Sequence, residues 1–329
     1  MPAGKLANLR EESQRVRDQI RKYSGFLILL ALLAVVPIGM ARHMLSESRN
    51  DAYVDDKPNY LSHQYPPAGD AELTPRLARL LEKDMHEVDA VPRTFLTKLP
   101  DNLPDLVDAK RRKQLFVSAM LPIILRANEL IIADRGRLLA IKDRLETGEP
   151  EGKRQRIWLE QLAKRHRVKL DKPASVEQID QLLFKVDIIP PSLALAQAAM
   201  ESGWGTSYFA QEGNALFGEW VWGDDAGILP RARDEGKTHR IKSFEYLLDS
   251  VRSYMTNLNR HRSYSDLRDR RAELRTHNLV VTGSALAPAL VDYSERGAEY
   301  VSDIISIIDF NDLDGLDSAS LMASAQDSR

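Results

Sequence analysis

From Gly25 to Ala41 the chain reads GFLILLALLAVVPIGMA, a run without one charged residue. Such a run is too apolar all round for a water-facing surface, and its length sits at the lower limit for a membrane span, which takes about 17–25 residues. Lys5, Arg10, Arg15, Arg17, Arg21 and Lys22 precede it against Glu11, Glu12 and Asp18. After it, Glu47, Asp51, Asp55 and Asp56 outweigh Arg42, Arg49 and Lys57. Positive charge stays on the cytoplasmic side. The run therefore reads as a single-pass inner-membrane anchor over residues 25–45, behind a basic cytoplasmic stretch 1–24, with the rest of the chain facing the periplasm. Gly39-Met40-Ala41 also offers the small residues of a signal-peptidase site, but the long stretch before the run favours an uncleaved anchor.

The remainder divides by pattern. Residues 46–74, with Pro58, Pro66 and Pro67, read as a linker. Residues 75–185 read as an N-terminal helical region: Leu115, Phe116, Met120, Ile123, Ile124, Ala127, Leu130 and Ile131 recur at helical steps, with Pro122 placed to kink the helix or start a second one. A second helical domain is expected over 186–311, and 312–329 read as a disordered tail. Pro190-Pro191 open a helix that reaches about Ser202, with Gly203 suited to its end. From Gly213 to Lys242 helical periodicity stops, and short strands or loops are expected. Ser243 is placed to cap a helix whose stripe is Phe244, Leu247, Leu248, Val251, Tyr254, Met255 and Leu258. That stripe reads as core. The fold class is mainly α with a small β-containing lobe.

Composition removes several functions. The net charge of −2 supplies no basic surplus for nucleic acid. With no cysteine in 329 residues, thiolate catalysis, disulfides and cysteine metal sites are excluded. His239 and His261 stand without clustered carboxylates and read as surface or capping residues, so neither metal nor cofactor is expected.

The chemistry gathers in AQAAMESGWGTSYFA, Ala196 to Ala210. Glu201 falls at the end of a helix, where unpaired carbonyls make the potential negative and disfavour a carboxylate. Apolar neighbours such as Met200 and Trp204 act in the same direction. An acid kept protonated near neutral pH can donate to a leaving oxygen, the need of glycoside hydrolysis. Trp204, Tyr208, Phe209, Phe217, Trp220 and Trp222 follow closely. Aromatic faces beside polar groups suit sugar rings, although Phe209 and Phe217 read equally well as core.

AQAAMESGWGTSYFAQEGNALFGEW, HRIKSFEYLLDSVRSYMTNLNRHRSYSDLRDRR and LVDYSERGAEYVSDIISII together resemble the glucosaminidase domain of glycoside hydrolase family 73, in the form found in bacterial Bax-like proteins. The resemblance covers roughly residues 190–310. It implies a lysozyme-like fold and cleavage of the β-1,4 bond after N-acetylglucosamine in peptidoglycan glycan strands. It implies Glu201 as the catalytic acid and Asn214, Leu216, Phe217 and Gly218 as an N-LFG segment that shapes the cleft floor; with the aromatic run, the expected substrate-binding residues are Trp204, Asn214, Phe217, Trp220, Trp222 and Tyr300. Tyr293 or Tyr300 answers to a late family tyrosine that lines the site, with Tyr293 set among the catalytic residues. The second acid of many members has no clean match. Glu235 fits by spacing, Asp224, Asp225 and Asp234 lie close by, and assistance by the substrate's N-acetyl group is the alternative. A lytic transglycosylase and a non-catalytic envelope glycan-binding or scaffold protein remain as other readings.

Overall fold

The computed structural model describes residues 90–221, 227–229 and 240–323. The Gly25–Ala41 run, Trp222, Asp224, Asp225, Asp234, Glu235 and His239 lie outside them.

Helix α1 (Ala109–Glu146) organises the rest. Asp108 caps it, its carboxylate accepting from the amides of Lys110 at 2.9 Å and Arg111 at 3.3 Å. The helix passes through Pro122 without ending, so no second helix starts there. Pro122 is buried within Phe116–Leu125, where surrounding side chains hold the backbone in place. Among the described residues α1 alone is long and apolar enough to cross a membrane by length and composition, but 67% of its most apolar window is buried in the fold. Here it is a core helix.

Two helices cover the second half of α1. They are α2 (Lys153–Arg165) and α3 (Val176–Lys185), the latter begun by a capping box between Ser175 and Gln178. Leu138, Ile141, Leu159, Leu162, Ile179 and Leu182 form their common core. Buried Asp187, just after α3, then draws in Arg275 at 2.7 Å and Arg271 at 3.6 Å. Both arginines come from α7 (Ser265–Thr276), which is thereby tied to the head of the next helix.

That next helix, α4 (Pro191–Ser202), is buried along almost its whole length. Pro191 occupies its first turn, where the missing N–H costs nothing. Gly203 closes it in the left-handed region at φ 60°, as expected. Helix α4 packs against α1, α8 (Gly283–Leu286), α9 (Ala298–Phe310) and a 3-10 turn, Leu313–Ser318. The last of these corrects the sequence reading: 312–323 is not a free tail. Leu313 and Leu316 are buried. Asp317 accepts from the Ser192 amide at 2.8 Å, the Ser192 hydroxyl at 2.7 Å and the Gly283 amide at 3.0 Å. Polar, aspartate-rich composition hid a segment that caps the start of α4. Beyond it, Leu321 forms a parallel bridge with Val91, closed by Val91 N–H to Ser320 O at 2.8 Å.

The lobe follows α5 (Tyr208–Gly213). Strands β1 (Trp220–Val221), β2 (Gly227–Ile228) and β3 (Arg240–Lys242) form an antiparallel sheet in the order β1-β3-β2, with Trp220 and Ile228 both opposite Ile241. Helix α6 (Leu247–Arg260) starts later than Ser243 suggested, with Tyr246 at the cap and no side-chain cap bond. The reason is Asn214. Its amide donates to the carbonyls of Thr97, Phe244 and Glu245 at 3.1–3.3 Å, tying down the residues before the helix. The fold is thus mainly helical with a small strand-bearing lobe, of the lysozyme-like kind.

Candidate active site

Glu201 is the penultimate residue of α4. The turn after it is forced. Gly203, Trp204 and Gly205 all have positive φ, at 60°, 58° and 77°. A Cβ on Gly205 would sit 2.7 Å from Leu99 and 2.8 Å from Leu103, in the segment before α1, and 3.0 Å from Phe116 on α1, so glycine is what lets this turn lie against them. The chain reverses sharply beneath the acid and leaves Glu201 facing outward.

Glu201 is exposed to solvent, while protein atoms crowd its carboxyl from the side of Tyr300 and Arg296. Both hold for a carboxyl with protein on one side and water on the other. Removal from water pushes its pKa up to about 7, against opposing effects from the Tyr300 hydroxyl and the Arg296 charge. Water on the open face screens part of this, and the direction, toward a neutral acid, is what the chemistry uses.

Behind the carboxyl lies a chain of hydrogen bonds. Tyr300 Oη donates to Glu201 Oε1 at 3.1 Å. Gln197 Nε2 donates to Tyr300 Oη at 2.9 Å. Tyr254 Oη donates to Gln197 Oε1 at 2.6 Å. Gln197 is one turn before Glu201 on α4, Tyr254 is on α6 and Tyr300 on α9. Tyr293 stacks on Tyr300 with ring centres 5.2 Å apart, and Tyr264 lies 5.7 Å behind Tyr293. Burial and the charge of Glu201 push all four phenols above their usual range, so they stay protonated donors.

The other expected residues take varied places. Tyr300, not Tyr293, bonds Glu201; Tyr293 is buried behind it. Asn214 and Phe217, expected among the substrate-binding residues with Phe217 read equally as core, are both buried. Asn214 is buried with its amide hydrogens bound to backbone carbonyls, and Phe217 is buried and stacked 3.9 Å on Tyr254. They build the floor from beneath. Trp204 turns onto α1, edge-on to Phe116 at 5.7 Å, with the Lys113 ammonium 4.7 Å over its ring. Trp220 is half-buried on β1. Nδ1 of His261 accepts from the Ser263 amide at 3.3 Å, a local cap.

Three residues escaped the sequence reading. Gln197 stands four before Glu201, a polar side chain on the same face of an apolar helix, and that spacing was the available signal. Tyr254 was hidden by its membership of an apolar stripe. Glu219, just before β1, accepts from Ser253 Oγ at 2.7 Å and lies 3.7 Å from Lys242 Nζ, while its Oε1 is buried without a hydrogen bond. Its charge reaches Tyr264 and Tyr293, as that of Glu201 does, so a second carboxylate borders the tyrosine cluster. An open groove on the α2–α3 face, lined by Arg167, Lys169, Glu177 and Phe184, includes no residue of this cluster.

A glutamic acid raised toward neutrality at a helix end, in a helical fold with a small sheet, is the arrangement of a glycoside-hydrolase type of domain, and the family match points the same way. The family described as glucosaminidase, mannosyl-glycoprotein endo-beta-N-acetylglucosaminidase, matches residues 176–313. Protein bax of Escherichia coli (strain K12) is 35% identical over 202 residues, covering 60% of this chain and 70% of that protein. The chain belongs to the Bax-like proteins that carry a glucosaminidase domain. No solved structure matches it.

Proposed function

We propose that the protein is an endo-β-N-acetylglucosaminidase that cleaves the β-1,4 bond after N-acetylglucosamine in peptidoglycan, with Glu201 as general acid. The observation that carries this reading is the Glu201 carboxyl itself, open on one side, bonded by Tyr300 on the other and pushed up to about 7. A carboxylic acid still protonated near neutral pH can protonate the glycosidic oxygen as the bond breaks. The domain match supports a glycan substrate. Trp220 on the lobe, with Trp222 beside it in sequence, supplies aromatic surface for sugar rings. Glu235 remains the proposed second carboxylate, with the substrate's N-acetyl group as the alternative assistant. The uncharged Gly25–Ala41 run and its basic flank support a membrane anchor with the domain on the periplasmic side.

Mass spectrometry of peptidoglycan digested by the purified full chain tests this reading. New reducing ends at N-acetylglucosamine are expected. Anhydro-sugar ends would show a lytic transglycosylase instead, and intact strands that bind without cleavage would show a glycan-binding protein.

A further inference from the structure

The hydrogen bonds behind Glu201 have a direction. Tyr254 is the closed end: its phenol is buried, its ring is covered by Phe217, and Gln197 Oε1 takes its hydrogen. If the Gln197 amide were turned the other way, Tyr254 would accept from Nε2 and its own hydrogen would lose this acceptor in a dry interior, a costly state. So Oε1 faces Tyr254 and Nε2 faces Tyr300. Tyr300 must then accept from Gln197, and its single hydrogen goes on to Glu201 Oε1. Both phenol hydrogens find acceptors only when the chain runs from Tyr254 toward the carboxyl.

We propose that Tyr254, Gln197 and Tyr300 form a one-way relay that keeps Glu201 Oε1 an acceptor and so confines the transferable proton of Glu201 to Oε2. Among the described residues Oε2 has no hydrogen-bond partner. It is therefore free for the leaving oxygen, and the acid cannot turn its proton inward to Tyr300. Tyr300 touches the acid. Tyr254 and Gln197 act only through it and are positioning residues. The catalytic consequence rests on the general-acid reading of Glu201; the relay itself does not.

The carboxyl also feels Arg296, from the segment before α9, and its charge reaches Tyr264 and Tyr293. Glu219, on the lobe, borders the same two phenols. Tyr254→Phe deletes one oxygen, keeps the ring that stacks on Phe217 and leaves the charges of Arg296 and Glu219 in place. Without that hydroxyl the Gln197 amide can turn, Tyr300 can donate to it instead, and Glu201 loses a donor that favours its charged form.

The test is direct titration of Glu201 by carbon-13 NMR of glutamate side-chain carboxyls in the full chain in detergent, with Glu201→Gln identifying the signal. Tyr254→Phe and Gln197→Met are expected to raise the midpoint by about one pH unit, comparably to Tyr300→Phe. A Glu201 midpoint unmoved in folded Tyr254→Phe or Gln197→Met, while Tyr300→Phe shifts it, would end the relay at Tyr300. A midpoint unmoved in all three would remove it altogether. Circular dichroism checks the fold, and Gln197→Met serves if Tyr254→Phe fails to fold. Peptidoglycan digestion by the same samples is read separately. A shifted midpoint in a protein whose parent never cleaves glycan would uphold the relay and overturn the proposed activity.

Discussion

Glu201 sits where a carboxylate is uncomfortable, at the carbonyl end of a helix with protein crowding one side of its carboxyl. That discomfort is what makes it an acid. With its pKa pushed up to about 7, the protonated form dominates below that pH and is lost above it. Cleavage that needs this proton is therefore expected to fall as pH rises through about 7, measured as initial rate of glycan release at constant ionic strength. Glu201→Gln keeps the shape and removes the proton; the expected loss is about 10²–10⁴ in rate, with an unchanged circular dichroism spectrum. Turnover near the parent rate would end the assignment. Glu201 was legible because its context, ESGWG, is local. The partners that hold it were less so. Gln197 and Tyr254 are polar atoms carried on otherwise apolar faces, and periodicity records the face rather than the one oxygen that matters. Asn214 and Phe217 were read as ligands for sugar because type and neighbourhood in sequence are shared by residues that line a floor and residues that support it.

At the scale of elements, the turn after α4 decides whether Glu201 faces the cleft. Gly205 combines a φ of 77° with Leu99 and Leu103 closer than 3 Å to any added Cβ. Gly205→Ala should cost about 2–5 kcal/mol from overpacking and left-handed strain, read as a lowered thermal midpoint with a matching loss of cleavage. A midpoint within a degree of the parent would show that Leu99 and Leu103 yield more easily than their burial suggests. The stop at Gly203 and the start at Pro191 could be read in advance, because both work through their own backbone. The start of α6 could not. Ser243 is a good cap by type, but Asn214 reaches from thirty residues earlier to hold the intervening carbonyls, and no local rule registers a bond of that span.

At the scale of the molecule, α4 is held at its far end by the segment that composition marks as a tail. Ending the chain after Asn311 would strip Leu313 and Leu316 from the core, each worth about 1.5–3 kcal/mol, and leave Ser192 and Gly283 without the Asp317 carboxylate. Marked destabilisation is expected in denaturant unfolding, whereas ending the chain after Ala323 should change little. Equal midpoints for the two would refute the clamp. The N-terminal run predicts a separate partition: the full chain should stay with membranes through a high-salt wash, and a form lacking residues 1–42 should be soluble. Recovery from cells of a native soluble form beginning near Arg42 would show cleavage instead. The bridge between Val91 and Leu321 also sets an order in time. A ribosome releases the helix bearing Glu201 more than a hundred residues before the strand residue that joins Val91. Closure between such distant positions is entropically slow. The acid is thus made early and framed late, and the domain completes itself only after residue 322 has left the exit tunnel.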